Sequence, residues 1–223
     1  MKSIFSKTAI ILFFSAFYSV TALGQKETKL MQQPALSDTH IAFIYGQDLW
    51  IANRDGSNPK RLTIDKGVES NPIFSPDGSM IAFNAEYDGN SDVFIVPTEG
   101  GVPRRLTWHP YRDLVRDFTP DGKIVLFASR RNSHTNRHFQ LFTVPIDGGT
   151  ISQLDVPNAF WATYANDGEQ LAYTTLFDAF GQWKHYRGGR TSRIWIYNTT
   201  DHKVAEIPKP AGGSNDTHPQ GHG

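Results

Sequence analysis

The sequence contains no cysteine. That excludes a disulfide scaffold, thiolate catalysis and any zinc or iron–sulfur site built on cysteine. Charge of one sign is also lacking, since 22 Lys and Arg stand against 22 Asp and Glu in 223 residues. A nonspecific nucleic-acid binder needs a basic excess to displace counterions from phosphates, so no nucleic-acid partner is expected. Long apolar runs are scarce as well. The longest extends from Ala9 to Val20, short of the ~20 residues that a spanning helix needs. It follows Lys2 and Lys7, has no acid near it, and leads into Thr21, Ala22, Leu23 and Gly24. Residues 1–24 therefore read as a secretory signal peptide cleaved before Gln25. The body is expected in the periplasm or outside the cell, with no membrane span after cleavage, as 199 residues of formal charge −2.

What the sequence has in abundance is repetition. A turn element recurs as Ser75-Pro76-Asp77-Gly78, Thr119-Pro120-Asp121-Gly122 and Ala165-Asn166-Asp167-Gly168, with Ser37-Asp38-Thr39-His40 as a degenerate first copy. An apolar triplet follows each: Ile41-Ala42-Phe43, Ile81-Ala82-Phe83, Val125-Leu126-Phe127 and Leu171-Ala172-Tyr173. A third element reads Asp48-Leu49-Trp50-Ile51, Asp92-Val93-Phe94-Ile95, Gln140-Leu141-Phe142-Thr143 and Arg193-Ile194-Trp195-Ile196. The fourth closes as Arg61-Leu62-Thr63, Arg105-Leu106-Thr107 and Gln153-Leu154-Asp155, with Val204-Ala205-Glu206-Ile207 as a weak last copy.

The triplets recur at intervals of 40, 44 and 46 residues. Four short strands per unit at that period predict an all-β propeller of four blades over residues 25–208. In the turn element, proline presets φ at the first corner, aspartate bonds the local backbone and glycine accepts positive φ, so a tight hairpin joins strands one and two. Glu99-Gly100-Gly101 and Asp147-Gly148-Gly149 do the same between strands three and four. The triplets are continuous rather than alternating, as strands covered on both faces require. An ordinary sandwich supplies strands without this repeat.

These motifs resemble the WD40-like repeats of TolB and of tricorn-type proteases. Ser129-Arg130-Arg131-Asn132-Ser133 and the segment from Trp183 to Arg190 are similar to the N-terminal propeller of tricorn protease homologues. That resemblance implies a six-bladed propeller, followed in the same polypeptide by PDZ and catalytic domains carrying a serine nucleophile. It implies a noncatalytic segment that filters peptides in an exported serine peptidase, with a peptide or protein as partner. It also implies that Arg130 and Arg131 hold a substrate's C-terminal carboxylate, a task suited to planar, permanently charged guanidinium forks. The same pair has a purely structural reading, as partners of a neighbouring blade's aspartate, and the residues alone leave both open. The other functional class is a TolB-like periplasmic binding or scaffold propeller; a prolyl-oligopeptidase-type propeller is a third.

Residues 209–223 read as a polar tail or the entry to a fifth blade, so the chain is expected to be part of a longer product. Four blades in an open arc leave two apolar faces, from which association into a homo-oligomer is expected.

Other chemistry is weakly signalled. No Gly-x-Ser-x-Gly elbow, P-loop or dinucleotide fingerprint is present, so no catalytic residue and no cofactor are expected within this chain. His134 and His138 lack the intervening glutamate of a zincin. Asp88, Asn90 and Asp92 imitate the start of a calcium loop without its later glutamate, so no metal is expected there either. Lys184, His185, Arg187, Arg190 and Arg193 read as a long loop lining the rim, with Trp183 and Tyr186 packing it. Trp50, Trp108, Trp161 and Trp195 are assigned to interblade packing.

Overall fold

The computed structural model describes residues 30–134, 138–176 and 192–208. Within them lie sixteen strands in four antiparallel sheets, each a meander in chain order. The first sheet holds β1 (Gln32–Leu36), β2 (His40–Tyr45), β3 (Asp48–Asn53) and β4 (Lys60–Arg61). The second holds β5 (Glu69–Phe74), β6 (Met80–Ala85), β7 (Asp92–Pro97) and β8 (Arg104–Arg105). The third holds β9 (Asp113–Phe118), β10 (Ile124–Ser129), β11 (Gln140–Pro145) and β12 (Ser152–Gln153). The fourth holds β13 (Trp161–Tyr164), β14 (Gln170–Thr174), β15 (Ile194–Asn198) and β16 (Val204–Glu206). These are the four blades that the repeat predicts. The signal segment, the Trp183–Arg190 stretch and the tail at 209–223 lie outside the described residues.

First strands of successive blades contact one another, β1 with β5, β5 with β9, and β9 with β13. They line the inside of the arc, and the outermost strands of the first three blades are two residues long. Short outer strands offer little unpaired edge to another chain.

The apolar triplets now have a physical reason. Side chains along a strand alternate between faces, and in the second blade Ile81 and Phe83 join the core against the first blade while Ala82 joins the core against the third. In the third blade Val125 and Phe127 face the second blade, whereas Leu126 and Ala128 face the fourth. A strand with two buried faces needs an apolar residue at every position. Phe83, Leu126 and Phe127 are fully buried, and each such side chain stabilises by roughly 1.5–3 kcal/mol. The fourth blade departs from this pattern: β13 and β15 have one buried position each.

The tight turns work as their residues predict. Asp121 Oδ1 accepts from the Thr119 hydroxyl at 2.6 Å and the Lys123 amide at 3.1 Å, and Gly122 has φ +70°. Asp77 repeats this with Ser75 and Ser79. Those bonds hold both carboxyl groups below the usual carboxylate range. A second use of the glycine emerges between blades: a Cβ on Gly122 would lie 3.6 Å from Pro76, and one on Gly168 3.6 Å from Pro120. These two turns each nest against the proline of the turn before, while Gly78 faces Ser37.

Strands three and four are tied by a repeated clamp. Arg61 meets Asp48 at 2.7 Å while the Thr63 hydroxyl accepts from the Leu49 amide at 2.9 Å. Arg105 meets Asp92 at 2.6 Å while the Thr107 hydroxyl accepts from the Val93 amide at 3.0 Å. The fourth blade reverses the polarity, pairing Arg193 with Glu206.

Candidate functional site

A meander puts all its strand-one-to-two and strand-three-to-four turns at one end, and its other connections at the opposite end. The first end is closed by the tight turns just described. The second carries longer segments, including residues 86–91, 106–112 and the connection that leaves β10 at Arg130. Loops on a rigid scaffold are where binding groups concentrate, and Arg130 and Arg131 lie there.

The two arginines share a turn, closed by the Ser133 amide donating to the Arg130 carbonyl at 2.9 Å. Their guanidinium groups have different surroundings. Arg131 donates to Asp113 Oδ2 at 2.5 Å, and the paired side chains are 11% and 0% exposed. Its head lies 5.0 Å from the Phe127 ring centre and 5.2 Å from that of Phe142. Asp113 begins β9 of the same blade, not a neighbouring one, and the Asn84 amide group of the preceding blade donates to its carbonyl. Arg131 is thereby anchored to the innermost strand.

Arg130 is half-buried, its head 4.3 Å from the centre of the Phe139 ring. Its Nε is buried and has no hydrogen-bond partner, and no ion pair to it occurs among the described residues. Phe139 continues an aromatic ladder: its ring meets Phe160 edge-on at 5.0 Å, and Phe160 meets Trp161 at 5.4 Å. The Arg116 guanidinium lies 4.6 Å from the Phe160 ring centre and 4.1 Å from that of Trp161, and Arg116 donates to the Phe160 carbonyl. Chemically, this arrangement offers one guanidinium beside an apolar wall, with a second arginine fixing its loop.

The equivalent slot in the second blade explains Arg131. Glu69 pairs with Ala85 as Asp113 pairs with Ser129, and Tyr87 follows β6 by two residues as Arg131 follows β10. Tyr87 packs edge-on against Phe94 at 4.9 Å, where Arg131 packs on Phe142. Glu69 is 1% exposed and lies against the Tyr87 hydroxyl, and no ion pair to it occurs among the described residues. Burial pushes the Glu69 carboxyl and the Tyr87 hydroxyl up.

Elsewhere the sequence expectations fare differently. Between Asp88 and Asp92 lies the fork of Arg105, 2.6 Å from each, so the calcium-like spacing serves an arginine. His134 and His138 are exposed, and no group of three metal-capable side chains occurs among the described residues. Trp195 packs against the core between blades three and four as expected. Trp108 does not pack between blades: it is 67% exposed. Apolar character predicted burial, but Trp108 follows the last core residue of its strand and turns outward. Asp113, Arg116, Phe139 and Phe160 were missed. The available signal was the charged pair Arg116 and Asp117 inside the run from Leu114 to Phe118.

Four-stranded meanders packed face to face around their first strands define a β-propeller. Comparison with known families matches residues 28–223 to the tricorn protease N-terminal β-propeller domain, and the chain belongs to that family. It is 32% identical over 172 residues to tricorn protease homolog 1 of Streptomyces coelicolor, covering 75% of this chain and 16% of that one. A protein TolB homolog of Chlorobium luteolum is 34% identical over 55 residues, 25% of this chain and 13% of its own length. The crystal structure of the tricorn protease superposes with a TM-score of 0.70 at 24% identity, covering 85% of this chain and 19% of that one. This sequence therefore spans a small fraction of the curated relatives it matches.

Proposed function

We propose that this chain is the substrate-filtering propeller segment of an exported, tricorn-like serine peptidase, and that Arg130 receives the C-terminal carboxylate of a peptide while Arg131 fixes the loop. The supporting observation is the Arg130 head: a cation on an aromatic wall, with a buried Nε and no acidic partner among the described residues. A carboxylate arriving there gains charge-assisted hydrogen bonds without having to displace an internal anion. Proteolysis itself belongs to the downstream PDZ and catalytic domains that the relatives' length leaves room for. Export follows from the reading of residues 1–24.

The test compares matched peptides ending in a free acid or an amide, by fluorescence anisotropy on this chain and by cleavage in the longer enzyme. Arg130→Ala should weaken binding of the free acid about tenfold, equivalent to one charge-assisted contact of about 1.4 kcal/mol. The amide should be unaffected. Equal affinity for acid and amide before mutation contradicts the assignment. The short likeness to a TolB homolog favours a second reading, a periplasmic binding or scaffold propeller. In that case folded protein partners are captured and peptides are not.

A further inference from the structure

Exposed apolar side chains recur at one register position on the loop-bearing end. Ile64 follows Thr63 and is 80% exposed; Trp108 follows Thr107 and is 67% exposed. The threonines are equivalent, since each caps the third-strand amide of its own blade. The next blade breaks the series, because Val156 after Asp155 is buried at 1%. Two consecutive blades thus turn an apolar residue outward where the third turns one inward.

The Trp108 loop is held in place by polar bonds rather than by burial of its ring. The Asn90 side-chain amide donates to the carbonyls of His109 and Tyr111, and the His109 amide donates to Asp92 Oδ1 at 3.4 Å. Arg105 lies 5.8 Å from the Trp108 ring centre, already paired with two aspartates. An exposed aromatic presented by a pinned loop loses little conformational freedom when a partner covers it, which is the character of a binding hot spot.

The loop is also continuous with the arginine site. Residue 112 leads directly into Asp113, whose carboxylate holds Arg131, so the backbone after Tyr111 and the Arg130 turn are fastened by one ion pair. Around it, Arg105, Arg112 and Arg131 are each engaged by an acid. Arg130, on that turn, has no ion pair among the described residues.

We infer that Trp108, with Ile64 one blade earlier, forms an apolar side-chain subsite for an extended peptide whose carboxylate end lies at Arg130. The inference rests on the Arg130 reading for the peptide's direction and not for the subsite's existence. The occupant is a peptide with large apolar side chains upstream of its C-terminus. Apolar side chains gain from covering the Trp108 ring, while the Arg130 guanidinium orients the anionic end.

The experiment uses fluorescein-labelled octapeptides that carry either Phe or Gly at internal positions, each as free acid and as amide. Binding is measured by anisotropy to the full chain and to its Trp108→Ala, Trp108→Phe and Arg130→Ala variants. The wild type should prefer the Phe series by about tenfold, on the scale of one hot-spot contact. Trp108→Ala should abolish that preference and Trp108→Phe should retain most of it. Because Trp108 is exposed, thermal unfolding should be unchanged in both variants. Arg130→Ala should keep the Phe preference and lose the difference between acid and amide. A Phe preference that survives Trp108→Ala overturns the inference, as does binding of an oligosaccharide rather than either peptide series. A preference removed by Trp108→Ala, with acid and amide bound equally throughout, supports the subsite and overturns the Arg130 reading alone.

Discussion

Tyr87 stands in the second blade where Arg131 stands in the third, two residues beyond the second strand and against the equivalent phenylalanine. The acid facing each differs in consequence. Asp113 has a guanidinium partner, whereas Glu69 is buried beside a neutral phenol, with Asp48 and Asp65 adding like charge.

That difference gives a pH prediction. Burial raises the folded-state Glu69 carboxyl above its unfolded value, so the folded chain binds the proton more tightly. The stability tied to this group is complete below the unfolded value near 4.3 and is lost as pH rises through the folded value. Glu69→Gln, which cannot ionise, should raise Tm relative to wild type at pH 7–8 and have less effect near pH 4. Tyr87→Arg should flatten the same profile by supplying the missing cation. About 1 kcal/mol corresponds to a Tm shift of roughly 2–4 °C in a chain of this size. Parallel pH profiles for wild type and Glu69→Gln by calorimetry contradict the assignment.

Adjacent arginines should separate in their effect on stability. Removing either member of the Arg131–Asp113 pair leaves a buried group uncompensated and should cost about 3–5 kcal/mol. The double variant Asp113→Ala with Arg131→Ala should cost less than the sum of the singles, because neither charge is then stranded. Arg130→Ala, which breaks no ion pair among the described residues, should cost under about 1 kcal/mol. Urea unfolding of the four variants measures all of this, and equal losses for Arg130→Ala and Arg131→Ala would count against the division of roles.

The blade order was legible because each repeat writes its turn chemistry locally: Asp121 and Gly122 act on residues one or two positions away. The interfaces were legible too, since continuous triplets demand two buried faces. The site was less so. Arg131 meets Asp113 across 18 residues and Arg116 meets Phe160 across 44, and no local pattern records either pairing. Trp108 was misread for a related reason, because residue type carries hydrophobicity but not the direction in which a loop turns a ring. Ile64 held the missing clue, being an apolar residue at the same register.

Asn84 should be among the least replaceable polar residues. It is 0% exposed and joins two blades: its amide group donates to the carbonyls of Asp92 and Asp113, and its oxygen accepts from the Asn71 side chain and the Val115 amide. Asn84→Leu strands three backbone groups at once. Each stranded buried group costs about 1–3 kcal/mol, so loss of cooperative unfolding below 37 °C is expected. A melting curve with Tm within a few degrees of wild type would refute a linking role.

The clamp offers a comparison within one molecule. Arg105 serves Asp92, which is 1% exposed, and also Asp88, while Arg61 serves Asp48, which is 15% exposed. Arg105→Ala should therefore cost about 3 kcal/mol and Arg61→Ala under about 1 kcal/mol at neutral pH. Burial already raises the Asp92 carboxyl against the opposing pull of Arg105, and without that arginine it rises further. The penalty in Arg105→Ala is then present above the unfolded value near 3.9 and fades as acid protonates Asp92. Its Tm deficit should narrow between pH 7 and pH 4, whereas the Arg61→Ala deficit should stay small throughout. A deficit for Arg105→Ala that is independent of pH would locate its contribution in packing on Phe94 and Trp108 rather than in the charge of Asp92.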